Sequence, residues 1–99
     1  MAGLTITHAG TQDIWDESNS KAARRTLPKI LWKRGRSLLQ ILEQAQRIDD
    51  VAAIPSLRLE KLVGDRAGQH SIRIEQQYRI CFTWDTKTGA TNVEICDYH

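Results

Sequence analysis

The C-terminal third of the chain, residues 70–99, contains three consecutive runs in which apolar and polar residues alternate. Alternation with a period of two is typical of strands that have one buried face and one solvated face. The first gap between runs is Gln76-Gln77, and the second, residues 85–91, contains Thr88-Gly89. We therefore expect a tight hairpin, then a longer turn, in an antiparallel meander whose apolar face needs a covering element.

The segments before the meander predict short elements. Residues 4–7 are rich in β-branched side chains and predict a short strand that joins the meander, and Gly10 is expected to break this run. Residues 11–16 and 21–26 each predict a short helix.

A longer helix is predicted from a Thr26 N-cap to about Gln46, because apolar residues recur there at steps of three and four. We expect this helix to cover the apolar face of the sheet, with Gly35 at a close packing contact. The order of strand, helices and then a run of strands predicts an α+β fold. The length of 99 residues predicts a single domain, residues 1–99.

Composition narrows the class of protein. Hydrophobic residues make up 40% of the chain and charged residues 26%, which is ordinary for a soluble domain. No apolar run approaches the ~20 residues of a membrane span, and the first ten residues lack the features of a signal peptide. Two cysteines, Cys81 and Cys96, on strands that we expect to be close, suit reduced packing residues in a cytoplasmic protein.

Basic residues are concentrated between positions 21 and 36, although the net charge is only +2. No acidic residue interrupts this stretch, so it could follow a phosphate backbone or could simply be a solvated helix surface. Its members are Lys21, Arg24, Arg25, Lys29, Lys33, Arg34 and Arg36.

The polar face of the predicted meander collects groups suited to phosphate chemistry. Arg73 and Arg79 can hold phosphate oxygens, Tyr98 can stack on a base, and His99 can transfer protons near neutral pH, with Asp97 to orient it. RNA supplies its own nucleophile, the 2′-hydroxyl, so such a site needs no cofactor and no metal. The alternative is that the arginines are solvated or paired with acidic neighbours and that the terminus is frayed.

The histidines are widely spaced, which gives no zinc-ligand pattern, and the chain has no Walker-type phosphate loop and no serine nucleophile elbow. A cysteine nucleophile would need an activating base and an electropositive pocket.

From about Gly10 to its end the sequence closely resembles the HigB toxins of bacterial type II toxin–antitoxin modules, a branch of the RelE superfamily. The blocks that carry the resemblance are SLRLEKLVGDRAGQHSIRI, QQYRICFTW and VEICDYH, together with KAARRTLPKILWKRGRSLLQIL. The resemblance implies a RelE-like fold, a small antiparallel sheet against N-terminal helices. It also implies ribosome-dependent cleavage of mRNA in the A site, through 2′-hydroxyl attack that leaves a cyclic phosphate and a free 5′-hydroxyl.

The same resemblance implies partners. These are the ribosome and its mRNA, and a HigA-like antitoxin whose helix-turn-helix domain binds operator DNA, so that the complex represses its own operon. The basic stretch of residues 21–36 would grip ribosomal RNA, although antitoxin docking could use the same surface.

The family's C-terminal catalytic triplet matches Asp97, Tyr98 and His99, and its strand arginine matches Arg79. Arg73 matches a basic position that is common in this branch. Two positions depart from the family pattern: Glu60 replaces a catalytic His of some members, and Val63 replaces the Lys that many have before Gly-Asp-Arg.

Lys61 lies on the same side as Val63 if this segment is extended, and could substitute for the missing Lys. The departures predict a toxin of slow or moderate activity. The superfold also hosts ParE-type toxins, which poison DNA gyrase, and a third possibility is a degenerate member that only binds antitoxin or RNA.

Overall fold

The computed structural model describes residues 3–97 and has an α+β fold, which confirms the predicted class. A five-stranded sheet has the order β1-β5-β4-β3-β2. Its strands are β1 (Leu4–Ile6), β2 (Glu60–Lys61), β3 (His70–Arg73), β4 (Tyr78–Asp85) and β5 (Gly89–Asp97). The helices are α1 (Ala9–Trp15), α2 (Lys21–Thr26), α3 (Trp32–Gln44) and α4 (Ile48–Ala52). Within the described residues, none of the helices is both long and apolar enough to cross a bilayer.

The predicted meander is present as β3, β4 and β5, which pair in antiparallel fashion. Residues 74–77 join β3 to β4, so this hairpin has a longer connection than the predicted two-residue turn. The Glu75 side chain accounts for its shape, since Oε1 accepts hydrogen bonds from the Gln77 and Tyr78 amides at 2.6 and 3.1 Å. At the other edge, β1 pairs with β5 in parallel, which makes the sheet mixed.

The prediction that Gly10 breaks the chain between strand and helix is wrong. Gly10 is the second residue of α1, whose N-cap His8 accepts a hydrogen bond from the Thr11 amide through Nδ1. Glycine is needed there because α2 packs against this point. A Cβ atom on residue 10 would lie 1.8 Å from Thr26 Oγ1 and 2.7 Å from the Ala22 carbonyl oxygen.

The prediction that Thr26 caps one long helix is also wrong. Thr26 ends α2, where its hydroxyl donates to the Ala22 carbonyl oxygen, and α3 begins only at Trp32. Leu27 between them is extended, with φ −152° and ψ 136°. Leu27 precedes Pro28, whose ring disfavours the helical conformation in the preceding residue. A short 3₁₀ turn, Lys29–Leu31, then leads into α3.

Helix α3 supplies much of the core that covers the apolar face of the sheet, as expected. Its buried side is formed by Trp32, Gly35, Leu38, Leu39 and Leu42. The expected close contact at Gly35 is present, since a Cβ there would lie 3.1 Å from Leu27 Cδ2. Opposite these residues, the sheet contributes Ile72, Ile80, Phe82, Val93 and Ile95 to the same core.

Candidate functional site

Strand register gathers polar side chains on the sheet face that points away from the core. Arg79 lies directly opposite Arg73 on β3 and opposite Cys96 on β5, while Ser71 lies opposite Cys81. Directly opposite residues project from the same face of a sheet. The prediction that Arg73 and Arg79 lie on the same face of the sheet is therefore confirmed, and Arg79 is at the centre of that face.

Among the described residues, Ser71, Arg58 and Glu60 contact the Arg79 side chain and hold it in position. Its side chain is buried, with the residue only 8% exposed. Nε donates to Ser71 Oγ at 2.7 Å, and a terminal nitrogen donates to the Arg58 carbonyl oxygen at 2.7 Å. The same nitrogen lies 3.0 Å from Oε1 of Glu60. A buried charge is costly unless its donors are satisfied, so these contacts make Arg79 a fixed cation.

Arg58 contributes its backbone to this cluster through an uncommon conformation. It lies in the left-handed region, with φ 49° and ψ 55°, directly after the 3₁₀ turn Pro55–Leu57. This region costs a residue with a side chain about 1–2 kcal/mol. In this conformation the Arg58 carbonyl oxygen accepts the hydrogen bond from Arg79. The strain is therefore located at a direct contact of the buried cation.

Lys61 is placed apart from the Arg79 cluster. It pairs with His70, whereas its neighbour Glu60 pairs with Ser71. Because successive residues of a strand point to opposite faces, Lys61 lies on the side of His70 and Glu60 on the side of Arg79. Burial, and then the nearby Lys61 ammonium, lower the pKa of His70. The His70 ring stacks on Phe82, with centroids 5.9 Å apart.

Arg73 lines a surface groove beside the Arg79 cluster. The groove has a volume of about 420 Å³. Three arginines from different elements line it, and we call it the arginine groove; its lining residues are Arg34, Ser56, Arg58, Arg73, Ile74, Glu75 and Gln76. The structure thus joins Arg73 with Arg34 of the basic stretch, two positions 39 residues apart in the sequence.

The other basic residues of the stretch make different local contacts. Lys33 and Arg36 line a second groove with Trp15 and Glu17, while the Arg34 side chain turns to the Ile74 carbonyl oxygen. Arg24, on α2, donates to the backbone and side chain of Asn19. Lys29 stands 5.9 Å from the ring centroid of Trp32. Lys21 and Arg25 are exposed on α2. The role predicted for this stretch in RNA binding stays a prediction.

The C-terminal triplet is described only in part. Asp97 ends β5 opposite Tyr78, and its Oδ1 accepts a hydrogen bond from Gln77 Nε2 at 3.0 Å. By alternation Asp97 projects toward the side of Tyr78, whereas the preceding residue, Cys96, projects toward the side of Arg79. Tyr98 and His99 lie outside the described residues, so their predicted roles remain predictions.

The two cysteines lie on neighbouring strands, as expected, and both are buried and free. Interaction between the two side chains lowers the pKa of the Cys81 thiol and raises the pKa of the Cys96 thiol. The Cys96 thiol donates to the Glu94 carbonyl oxygen at 3.7 Å. Within residues 3–97, no three His, Cys, Asp or Glu side chains are grouped so that they could hold a metal ion.

A known protein family matches most of the chain. A family model described as HigB-like, RelE-like toxins of type II toxin–antitoxin systems matches residues 12–99. The chain belongs to this family. The match agrees with the resemblance read from the sequence, which begins at about Gly10.

A curated relative supports the same assignment over a shorter segment. Toxin HigB-1 of Vibrio cholerae serotype O1 is 44% identical to the chain over 46 residues. The aligned segment covers 46% of this chain and 48% of the relative, so the chain matches about half the length of that toxin.

The two departures from the HigB-like pattern occupy different environments. Glu60, which the sequence resemblance predicts to replace a His of some members, forms an ion pair with the buried Arg79 and places a negative charge at the centre of the site. Val63 is 85% exposed, immediately before the 3₁₀ turn Gly64–Arg66. Because its side chain is in solvent, a substitution at this position would not change the packing of the core.

Sequence reasoning missed Ser71 and Arg58. Ser71 had a detectable signal, because it precedes Arg73 by two positions in the alternating run and therefore shares its face. Arg58 had none, since its part is played by a backbone carbonyl in the left-handed conformation. The contact of Glu60 with Arg79 was likewise not predicted from the sequence.

Proposed function

We propose that this HigB-like toxin is a metal-independent endoribonuclease that cleaves translated mRNA in the ribosomal A site. In this reaction the 2′-hydroxyl of the substrate attacks the adjacent phosphorus, and the 5′-oxygen of the next nucleotide leaves. The products are a cyclic phosphate and a free 5′-hydroxyl. Cleavage stops translation and growth in the bacterial cytoplasm.

The observation that carries the proposal is the fixed, buried guanidinium of Arg79. Charge on the phosphate increases in the transition state, and a preorganised cation stabilises it without reorganising during the reaction. The hydrogen bonds of Arg79 to Ser71 and to the Arg58 carbonyl oxygen supply that preorganisation. Its position opposite Cys96, on the strand that leads into the C-terminal triplet, supports a shared site.

The C-terminal triplet supplies the proton transfers in this proposal. His99 acts as general acid or base, because an imidazole changes its charge near neutral pH. Tyr98 stacks on a base or takes part in proton transfer, and Asp97 is the orienting group. Arg73 and Lys61 are candidate phosphate contacts, with Lys61 the weaker of the two because it lies on the side of His70.

The partners proposed are the ribosome and a HigA-like antitoxin. The basic residues of α2 and of the start of α3 carry no acidic neighbour in the sequence and suit contacts with ribosomal RNA. The antitoxin, through a helix-turn-helix domain, would bring the toxin to operator DNA. Its binding would neutralise the toxin.

Two observations favour a second candidate, a degenerate member that binds RNA or antitoxin without cleaving. Glu60 already occupies a donor of Arg79, and Val63 offers no cation to a phosphate. Both features lower the expected rate. A gyrase-poisoning toxin has no such specific support from the described residues.

Cleavage of a short mRNA on programmed ribosomes tests the proposal. Wild type, a His99→Ala variant and naked RNA would be compared, with unfolding curves to show that the variant is folded. Cleavage that needs the ribosome and is lost in His99→Ala is the expected result. Absence of cleavage by folded wild type would refute the nuclease. In cells that express the protein, DNA damage with intact mRNA would assign it to gyrase poisoning. A fully active His99→Ala variant would refute the role of His99.

A further inference from the structure

We propose that the arginine groove is a binding subsite for a backbone phosphate of single-stranded RNA, adjacent to the phosphate that meets Arg79. This inference rests on the proposed nuclease function, and it changes the role of one residue. Arg73 becomes a residue that grips the RNA chain beside the reacting phosphate, and Arg34 and Arg58 become its partners.

Three separate parts of the chain bring the guanidinium groups to the groove. Arg34 comes from the first turn of α3, Arg58 from the segment after the 3₁₀ turn Pro55–Leu57, and Arg73 from the end of β3. Arg34 is oriented by its Nε, which donates to the Ile74 carbonyl oxygen at the edge of the groove. A hydrogen bond across 40 positions fixes the long side chain toward the sheet.

The charges in the groove are not balanced by the protein itself. Within residues 3–97, the ion pairs are Arg47–Asp49, Arg66–Glu94 and Arg79–Glu60, so none includes an arginine of the groove. The groove contains one carboxylate, Glu75, whose Oε1 accepts the Gln77 and Tyr78 amides. Three positive charges around one partly engaged carboxylate favour an anion.

Two residues, Arg73 and Arg58, link the groove to the Arg79 cluster. Arg73 and Arg79 are directly opposite on β3 and β4, where Cα atoms are about 5 Å apart. The Arg58 carbonyl oxygen accepts a hydrogen bond from Arg79, and Arg58 also lines the groove. An extended polyanion held at Arg79 therefore meets the groove next, which points to the substrate chain as its ligand.

The geometry favours phosphate over other anions for the same reason. Guanidinium forks bind either phosphate or carboxylate, so the chemistry of the arginines alone does not choose between RNA and an acidic protein segment. The position of the groove beside the buried Arg79 favours RNA, because one strand of substrate could then bind Arg79 and the groove together.

Single-turnover cleavage on programmed ribosomes, measured over a range of protein concentration, tests the subsite. We expect Arg73→Gln and Arg34→Gln to raise the half-saturating concentration by about tenfold each, as the loss of a charge-assisted hydrogen bond predicts. The maximal rate should stay within about twofold of wild type. Lys87→Gln is the matched control, because it removes one exposed charge from the β4–β5 turn at the far end of the sheet.

A second measurement separates failure of the subsite from failure of the nuclease. Binding of a ten-nucleotide 2′-O-methyl RNA, which lacks the nucleophile, would be followed by fluorescence anisotropy as salt is raised. Each lost phosphate contact should reduce the slope of log affinity against log salt by about 0.7. Weaker RNA binding by the groove variants would support the subsite. If wild type binds the RNA in this way but cleaves nothing, the subsite stands and the nuclease function is refuted.

Two results would overturn the subsite. One is normal cleavage together with RNA affinity equal to that of wild type in both groove variants. The other is unchanged RNA affinity together with lost binding to a poly-glutamate peptide, which would assign the groove to an acidic protein partner.

Discussion

Replacing Glu60 by Gln should make the protein a faster nuclease. The Glu60 carboxylate lies 3.0 Å from the terminal nitrogen of Arg79, the nitrogen that also donates to the Arg58 carbonyl. In the proposed mechanism this carboxylate competes with the substrate phosphate for Arg79 and repels it. Gln has nearly the same shape and keeps an oxygen that can accept from Arg79, but it carries no charge.

The size of the effect follows from the exposure of Glu60. Two unit charges about 4 Å apart interact by about 4 kcal/mol at a protein surface with an effective dielectric constant near 20, and by about 1 kcal/mol in bulk water. The Glu60 side chain is 61% exposed, so solvent screening places the effect near the lower value. Removing about 1 kcal/mol of repulsion should raise the cleavage rate about fivefold.

The cost in stability should be small. Arg79 keeps its bonds to Ser71 and to the Arg58 carbonyl, and ion pairs with a mostly exposed partner contribute at most about 1 kcal/mol. Wild type, Glu60→Gln and Glu60→Asp would be compared for cleavage on programmed ribosomes and for thermal unfolding. Glu43→Gln is the control, because it removes an exposed acid of α3 and changes the net charge equally.

Two results would contradict this reasoning. If Glu60→Gln cleaves no faster than Glu43→Gln, the ion pair does not restrain Arg79 during the reaction. If Glu60→Gln loses activity while Glu60→Asp retains it, the carboxylate takes part directly, in proton transfer or in positioning.

Three further changes have defined outcomes. Val63→Lys should increase cleavage with almost no change in melting temperature, since Val63 is 85% exposed; unchanged cleavage would show that a cation is not needed there. Gly10→Ala should destabilise the protein by about 1–3 kcal/mol in urea unfolding, because the added Cβ would overlap Thr26 Oγ1 and the Ala22 carbonyl, whereas Gly3→Ala should have little effect. Because burial and Lys61 lower the pKa of His70, folding disfavours its protonated form; this contribution to stability is complete above the unfolded value of about 6.5 and decreases as pH falls below it. Melting curves of His70→Phe should lack that part of the pH dependence.

Much of the fold could be predicted from local pattern. Period-two alternation identified β3, β4 and β5, and the bounds predicted for a helix over residues 21–26 agree with α2. The errors arose where a contact between distant elements decided the local structure. From the sequence alone Gly10 was expected to break the strand run, but in the fold it lies inside α1 at the point where α2 packs against it. Pro28 was expected in the first turn of a helix capped by Thr26, but its ring keeps Leu27 extended and so separates α2 from α3.

The candidate site was less accessible from sequence than the fold. Alternation placed Arg73 and Arg79 on one face correctly, because register depends only on the pattern of each strand. The partners of Arg79 come from three places: Ser71 on β3, Glu60 on the edge strand, and the backbone of Arg58. No local pattern specifies that a residue will adopt the left-handed conformation and offer its carbonyl to a side chain 21 positions away.

The arginines of this face differ in how firmly the protein holds them, and this difference suits two tasks. A group that stabilises a transition state must already be in place, because reorganisation during the reaction would reduce its effect. Arg79 is buried and bonded on several sides, as that task requires. A group that captures a flexible RNA chain needs a charge that the chain can approach from solvent, and Arg34 and Arg58 on the rim of the groove are exposed. Arg73 is half-buried, lies opposite Arg79 and also lines the groove. Substitutions at Arg79 should therefore change the rate of a bound complex, and substitutions in the groove should change how readily that complex forms.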